Sequence, residues 1–201
     1  MHRTTALPLL LDSAGLPEAE LRAAHLDRTV TRVGESFVPA DVAVGAQLRA
    51  GALQREVSAG LVAERSTAAW VHGACERPPG PPQLCVPAPG RASPAQRGAL
   101  RVRQVVLADH DVETISGLRL TTVRRTAFDL LRQTEVFDRR AAVVVSTLLL
   151  AGDIGTRDAR DELERADHLP YRHRAIARLA LFDAAGGVLP RPSRAQPPVT
   201  R

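Results

Sequence analysis

The sequence predicts a mixed α/β (α+β) fold: a small N-terminal winged-helix-like module, then a mixed α/β domain with C-terminal helices. Three observations carry this. Residues 3–40 read as helix, helix and β-hairpin, the outline of a winged helix. Four β-like runs, 83–86, 100–107, 112–115 and 118–121, are separated by turn-forming segments. From residue 123 onward apolar residues recur at helical rather than alternating spacing. The expected organisation is a module over 1–41, an α/β domain over 42–187 and a disordered tail over 188–201, which holds four Pro and three Arg.

Each element has a local reason. Residues 4–14 read as a short helix broken at Gly15. Pro17 suits the first position of a second helix, where no N–H is needed, and Glu18 and Glu20 complement the positive end of its dipole. Leu16, Leu21 and Ala24 fall on its inner face. Residues 29–33 and 37–38 are β-like around Gly34-Glu35-Ser36. Residues 41–60 have helical content weakened by Gly45 and Gly51.

Ser66 is expected to cap a short helix that runs through Val71 and is ended by Gly73, with a Pro/Gly loop over 76–82 beyond it. Ser116-Gly117 turns between the last two strands. Thr121 or Thr122 caps a helix over 123–133, with Val123, Ala127, Leu130 and Leu131 on one side. Residues 137–150 are apolar almost all round and read as a buried helix. Two more helices, 156–166 and 171–185, precede a stop at Gly186-Gly187.

The 201 residues contain neither Lys nor Asn, and all 27 basic residues are Arg. Lys and Asn codons are A-rich, whereas Arg, Ala, Pro and Gly codons are G/C-rich, so Arg stands here where other genomes place Lys. It is not in itself a sign of phosphate binding. The net charge of +5 is uneven. Residues 1–41 hold four Arg and six acids (net −2), residues 42–110 eight Arg and four acids (net +4), and residues 111–201 fifteen Arg and twelve acids (net +3). A mild basic excess suits nucleic acid but is lowest in the module expected to read it.

Two Cys, Cys75 and Cys85, are too few for a disulfide framework. The apolar run over 6–11 is too short for a signal peptide and is closed by Asp12; the run over 141–151 falls far short of a membrane span. A cytoplasmic protein without membrane contact is the expectation.

Catalytic chemistry finds no purchase. A restriction-type nuclease core usually adds a Lys to its paired acids, and a P-loop requires one; this chain has none. Asp109-His110-Asp111 lacks the preceding Gly-Ser turn of a nucleotidyltransferase and reads as a polar strand end. No G-x-S-x-G elbow occurs. Cys75, Cys85, His72 and His110 do not have zinc-knuckle spacing and read as inert thiols and a histidine closing a helix. No catalytic residue, metal or cofactor is assigned. Arg125 and Asp129, four apart, read as an intrahelical ion pair, and Arg139-Arg140 as a solvated helix end.

The candidates for DNA contact are Arg22, His25 and Arg28 on the exposed side of the second helix, with Arg32 in the hairpin. Glu18, Glu20 and Asp27 on the same helix favour plain solvated positions instead. Few aromatics argue against a stacking-based single-strand or RNA binder.

Four segments, VAERSTAAWVHG (62–73), QLCVPAPGRA (83–92), ISGLRLTTVRRTAFDLL (115–131) and AVVVSTLLLAGDI (142–154), in that order and spacing, resemble an actinobacterial group related to the AbiEi-type antitoxins of type IV toxin–antitoxin systems. The resemblance covers roughly residues 10–187, and its marks are S/T-A-A-x-x-H-G and R-T-x-x-D-L-L. It implies a transcriptional regulator with an N-terminal winged helix bound to double-stranded operator DNA, an α/β antitoxin domain and a nucleotidyltransferase as cognate toxin.

The chain departs from the group in several places. Glu64-Arg65 replaces Ser-His at the head of the first block. The wing, usually like R-R-G-V-Y, reads R-V-G-E-S-F over 32–37, one residue longer and with an added acid. The N-terminal module is abbreviated. The endonuclease-like domain that follows in several members is expected to be lacking, which agrees with the missing Lys. Within the block, Ala68 and Ala69 permit close packing, Trp70 and Val71 supply buried area, and His72 is placed to bond a backbone carbonyl. The alternatives to a DNA-binding antitoxin are a protein-interaction module whose DNA reader has decayed and, less favoured, a truncated endonuclease relative.

Overall fold

The computed structural model describes residues 9–90, 101–133, 136–166 and 169–184. The fold is mixed α/β, as the sequence predicts, with seven α-helices and two sheets among the described residues. The chain divides into two compact units, Met1–Thr122 and Val123–Arg201.

In the first unit, α1 (Glu18–Leu26) leads into a hairpin of β1 (Val30–Val33) and β2 (Ser36–Pro39). The helix expected over 4–14 is not there from residue 9 onward; residues 4–8 lie outside the described residues. Leu11 instead bridges Phe37, the two residues exchanging N–H···O bonds of 2.8 Å. Three leucines are too short a run to nucleate a helix on their own. Two of them gain more by packing, Leu10 against the main core and Leu11 against Leu21, Val30 and Phe37, while Leu9 stays exposed. Leu16, expected on an inner face, is 39% exposed, because the turn closed by the Asp12 carbonyl carries it outward. Pro17 sits one residue ahead of its expected place, as the N-cap of α1. In the hairpin Val33 pairs with Ser36, so Gly34-Glu35 alone makes the turn, with Gly34 at φ +61° as a II′ turn requires.

After α2 (Ala46–Gln54) comes a five-stranded sheet in the order β5-β4-β3-β7-β6. Its strands are β3 (Val62–Ala63), β4 (Gln83–Pro87), β5 (Arg101–Val105), β6 (Val112–Ile115) and β7 (Leu118–Thr121). β3 is antiparallel to β4 and parallel to β7; β4 and β5 are parallel; β6 and β7 form a hairpin. That hairpin and its turn are where the sequence places them, Ser116 and Gly117 both taking positive φ as a I′ turn demands. The central strand β3 was not expected, since two residues carry no alternation. Hairpin residues Val33 and Val38 enter the same core as Leu53, Trp70, Leu84 and Leu120. A Cβ on Gly34 would stand 3.6 Å from the Trp70 ring, so the hairpin tip is seated on that indole.

The second unit consists of α4 (Val123–Gln133), α5 (Arg139–Ala151), α6 (Thr156–Arg165) and α7 (Arg172–Ala184). α4 packs on α5 and α7, and α6 on α7. Asp138 caps α5 by accepting the Ala141 N–H at 2.8 Å, so the helix begins at Arg139, two residues after the expected start at Phe137. The pair read at Arg125 and Asp129 is present at 3.0 Å, and buried Asp129 also holds Arg132. Arg178 reaches from α7 to the Leu131 carbonyl at 2.7 Å. The stop at Gly186-Gly187 and the tail over 188–201 lie outside the described residues. No helix of the described residues is long and apolar enough to cross a membrane.

Candidate nucleic-acid interface

The four residues expected to meet DNA sit on α1, its C-terminal end and the hairpin. Arg22 is exposed and pairs with Glu18 at 2.6 Å, one helical turn away. His25 Nδ1 lies 3.1 Å from the Val30 carbonyl oxygen, and its ring packs at a tilt on Phe37. Arg32 donates from one terminal nitrogen to both Glu35 carboxylate oxygens, at 2.7 and 2.8 Å, and from Nε to the Gly34 carbonyl at 2.9 Å.

Arg28 is built differently. The Arg28 N–H bonds the His25 carbonyl and the Thr29 N–H bonds the Ala24 carbonyl, the two bonds of a Schellman ending. Arg28 holds the left-handed position of that motif at φ 59°, which glycine adopts freely and other residues occupy at a cost of about 1 kcal/mol. Its side chain is exposed and makes no hydrogen bond or ion pair among the described residues.

His25 and Arg32 share a cleft of about 680 Å³, while Arg22 and Arg28 are not among its lining. Arg49 of α2 and Arg77 of the loop after α3 (Arg65–Val71) also line it, with Trp70 beside them and Glu35 and Glu76 as its acids. Arg49 donates to the Trp70 and Cys75 carbonyls at 2.7 and 2.9 Å and stacks over the Trp70 ring. Burial lowers its pKa, partly offset by Cys75 and Glu76. Neither Arg49 nor Arg77 was found from the sequence: the partners of Arg49 lie 21 and 26 residues away, and no local pattern marks either.

The segment 64–73 supports this cleft from behind. A seven-residue helix is too short to stand alone, so α3 is held at both ends. Ser66, expected as its N-cap, lies inside it; Glu64 is the N-cap. The Ser66 N–H is met instead by Gln83 Oε1 at 3.0 Å, and the Gln83 N–H donates to Thr67 Oγ1 at 2.7 Å. Glu64, 1% exposed, takes both prongs of Arg103 at 2.8 and 2.6 Å. Ala68, Ala69, Trp70 and Val71 are buried as their composition implies. His72 bonds the Thr121 carbonyl at 2.8 Å, and Gly73 ends the helix at φ +83° with its own Schellman pair. Among the described residues neither cysteine forms a disulfide; Cys85 is buried and Cys75 half-buried, and burial raises the Cys75 pKa. Asp109-His110-Asp111 forms a 3₁₀ turn in which Asp111 accepts the Ala108 N–H at 2.9 Å.

Residues 58–181, which contain α3 and the R-T-x-x-D-L-L helix, match the family model of the AbiEi antitoxin C-terminal domain. The chain belongs to the AbiEi antitoxin family. This is a family of regulatory, non-enzymatic proteins that supplies the antitoxin of toxin–antitoxin systems. The AbiEi match begins after α2, so α1, the hairpin and the residues proposed for DNA contact precede it. No curated protein matches the chain. Among solved structures it is similar to the crystal structure of the RV2827C protein from Mycobacterium tuberculosis, at 14% identity and a TM-score of 0.47, over 90% of this chain and 73% of that one.

Proposed function

We propose that this antitoxin-family protein is a DNA-binding transcriptional regulator. Residues 1–41 act as a winged-helix-like reader of double-stranded operator DNA and repress the protein's own operon. Residues 42–187 form the antitoxin body that counteracts a nucleotidyltransferase toxin in the cytoplasm. The observation that carries this reading is Arg28. A cation occupies a left-handed helix ending where glycine is less strained, and its guanidinium is offered to solvent. Arg22 supports it. Its exposed pair with Glu18 contributes only about 0.3–0.5 kcal/mol, so a phosphate displaces the carboxylate at little cost. Arg28, Arg22 and Arg32 are assigned to phosphate or base contact and His25 to an auxiliary role.

The test is a titration of a labelled duplex from the protein's own upstream region, beside a scrambled duplex, at low and physiological salt. Salt-sensitive binding that favours the upstream duplex supports the reading; no binding at either salt overturns it.

A second reading, a protein-interaction module with a decayed DNA reader, is favoured by the neutralisation of Arg22 by Glu18 and of Arg32 by Glu35. Co-purification with a toxin without any DNA binding supports that alternative.

A further inference from the structure

The cleft between the hairpin and the loop after α3 draws its cations from three places: Arg32 on the hairpin, Arg49 on α2 and Arg77 on the loop. Two carboxylates, Glu35 and Glu76, face them, and His25 adds an imidazole. The three guanidiniums differ in availability. Arg49 is committed to two backbone carbonyls and supplies only charge from beneath. Arg32 is held by Glu35, in a pair whose side chains are 55% and 71% exposed and therefore readily exchanged. Arg77 is exposed, and among the described residues it makes no hydrogen bond or ion pair.

We propose that this cleft is a second DNA-phosphate site, in which Arg77 contacts the backbone directly and Glu35 competes with the phosphate for Arg32. The inference rests on the DNA-binding reading and extends it beyond the N-terminal module, onto a loop within the family-matched region. A volume of about 680 Å³ has room for a phosphodiester and its flanking sugars. The seating of Gly34 on Trp70 holds the hairpin wall of the cleft, and with it Arg32, against the body. A phosphate on Arg32 must displace the Glu35 carboxylate, so the acid at the hairpin tip weakens binding by about as much as one phosphate contact strengthens it.

The test measures the salt dependence of binding to the upstream duplex for the wild type, Arg28→Ala, Arg77→Ala, Arg77→Lys, Glu35→Gln, Arg32→Ala and the Arg32→Ala/Glu35→Gln double variant, with melting curves confirming folding. Each lost phosphate contact lowers the log–log salt slope by about 0.9. Arg77→Ala is expected to lose that much, Arg77→Lys to keep most of it, and Glu35→Gln to gain a similar amount. In the Arg32→Ala background the gain from Glu35→Gln should vanish. Failure of the wild type to bind at all overturns the DNA-binding reading. Wild-type binding that weakens in Arg28→Ala but is unchanged in Arg77→Ala and Glu35→Gln overturns this inference and leaves that reading standing.

Discussion

The Nε2–H of His72 donates to the Thr121 carbonyl oxygen at 2.8 Å, tying the end of α3 to the end of β7 across 49 residues of sequence. A carbonyl oxygen only accepts, so this bond places the proton on Nε2. His72→Ala is expected to cost about 1–2 kcal/mol, read as a lower urea midpoint at unchanged slope. His72→Gln, which keeps a donor, should recover part of the loss. Equal loss in both variants would show that the ring's packing, not its hydrogen bond, is what matters.

Asp129 is 1% exposed between Arg125 and Arg132, and Arg132 is itself buried. Asp129→Ala strands the Arg132 charge and is expected to destabilise by about 3–5 kcal/mol. Replacing both partners, as in Asp129→Leu/Arg132→Met, should cost much less than the sum of the single changes. Additive costs in a denaturant double-mutant cycle would argue against coupling.

Glu56 has a raised carboxyl pKa, first from burial and then from the charge of Glu35. The folded state therefore keeps the Glu56 proton where the unfolded chain has released it. The contribution to stability is full below the unfolded pKa and is lost as pH rises through the folded one. Glu56→Gln should accordingly be slightly more stable than wild type at pH 7, by a few tenths of a kcal/mol after solvent screening, and indistinguishable at pH 4. A melting-temperature comparison at the two pH values decides it; a variant less stable at pH 7 contradicts the assignment.

Arg28 links stability to the proposed function. Arg28→Gly relieves the left-handed strain and should stabilise the protein by about 0.5–1 kcal/mol while weakening binding to the upstream duplex. Thermal melting and a DNA titration on the same preparations check both signs. A variant that gains stability and binds as well as wild type removes the reason given for the strain.

The legible parts of the fold were those encoded locally. The β6–β7 hairpin and α4 fall on the expected residues, because a two-residue αL-tolerant turn and a one-sided apolar repeat are local signals. β3 was invisible because Val62 and Ala63 are too few to alternate, although that strand lies at the centre of the sheet. Leu9, Leu10 and Leu11 gave a helical pattern that tertiary pairing with Phe37 overrode. Ser66 had the chemistry of a cap, but Gln83, 17 residues on, meets its N–H. The candidate interface divides in the same way. His25 and Arg32 could be named from α1 and the hairpin, whereas Arg49 and Arg77 join them only through the fold.

The most direct test of the central claim is the salt slope of binding to the protein's own upstream duplex, measured for the wild type and for the Arg22/Arg28/Arg32→Ala variant. Arg32 adds no net contact while Glu35 holds it, so with the Arg22 and Arg28 contacts removed the slope should fall by about 1.8 while the fold melts as before. A wild-type slope near zero, or the same slope in the variant, would contradict DNA recognition through α1 and the hairpin.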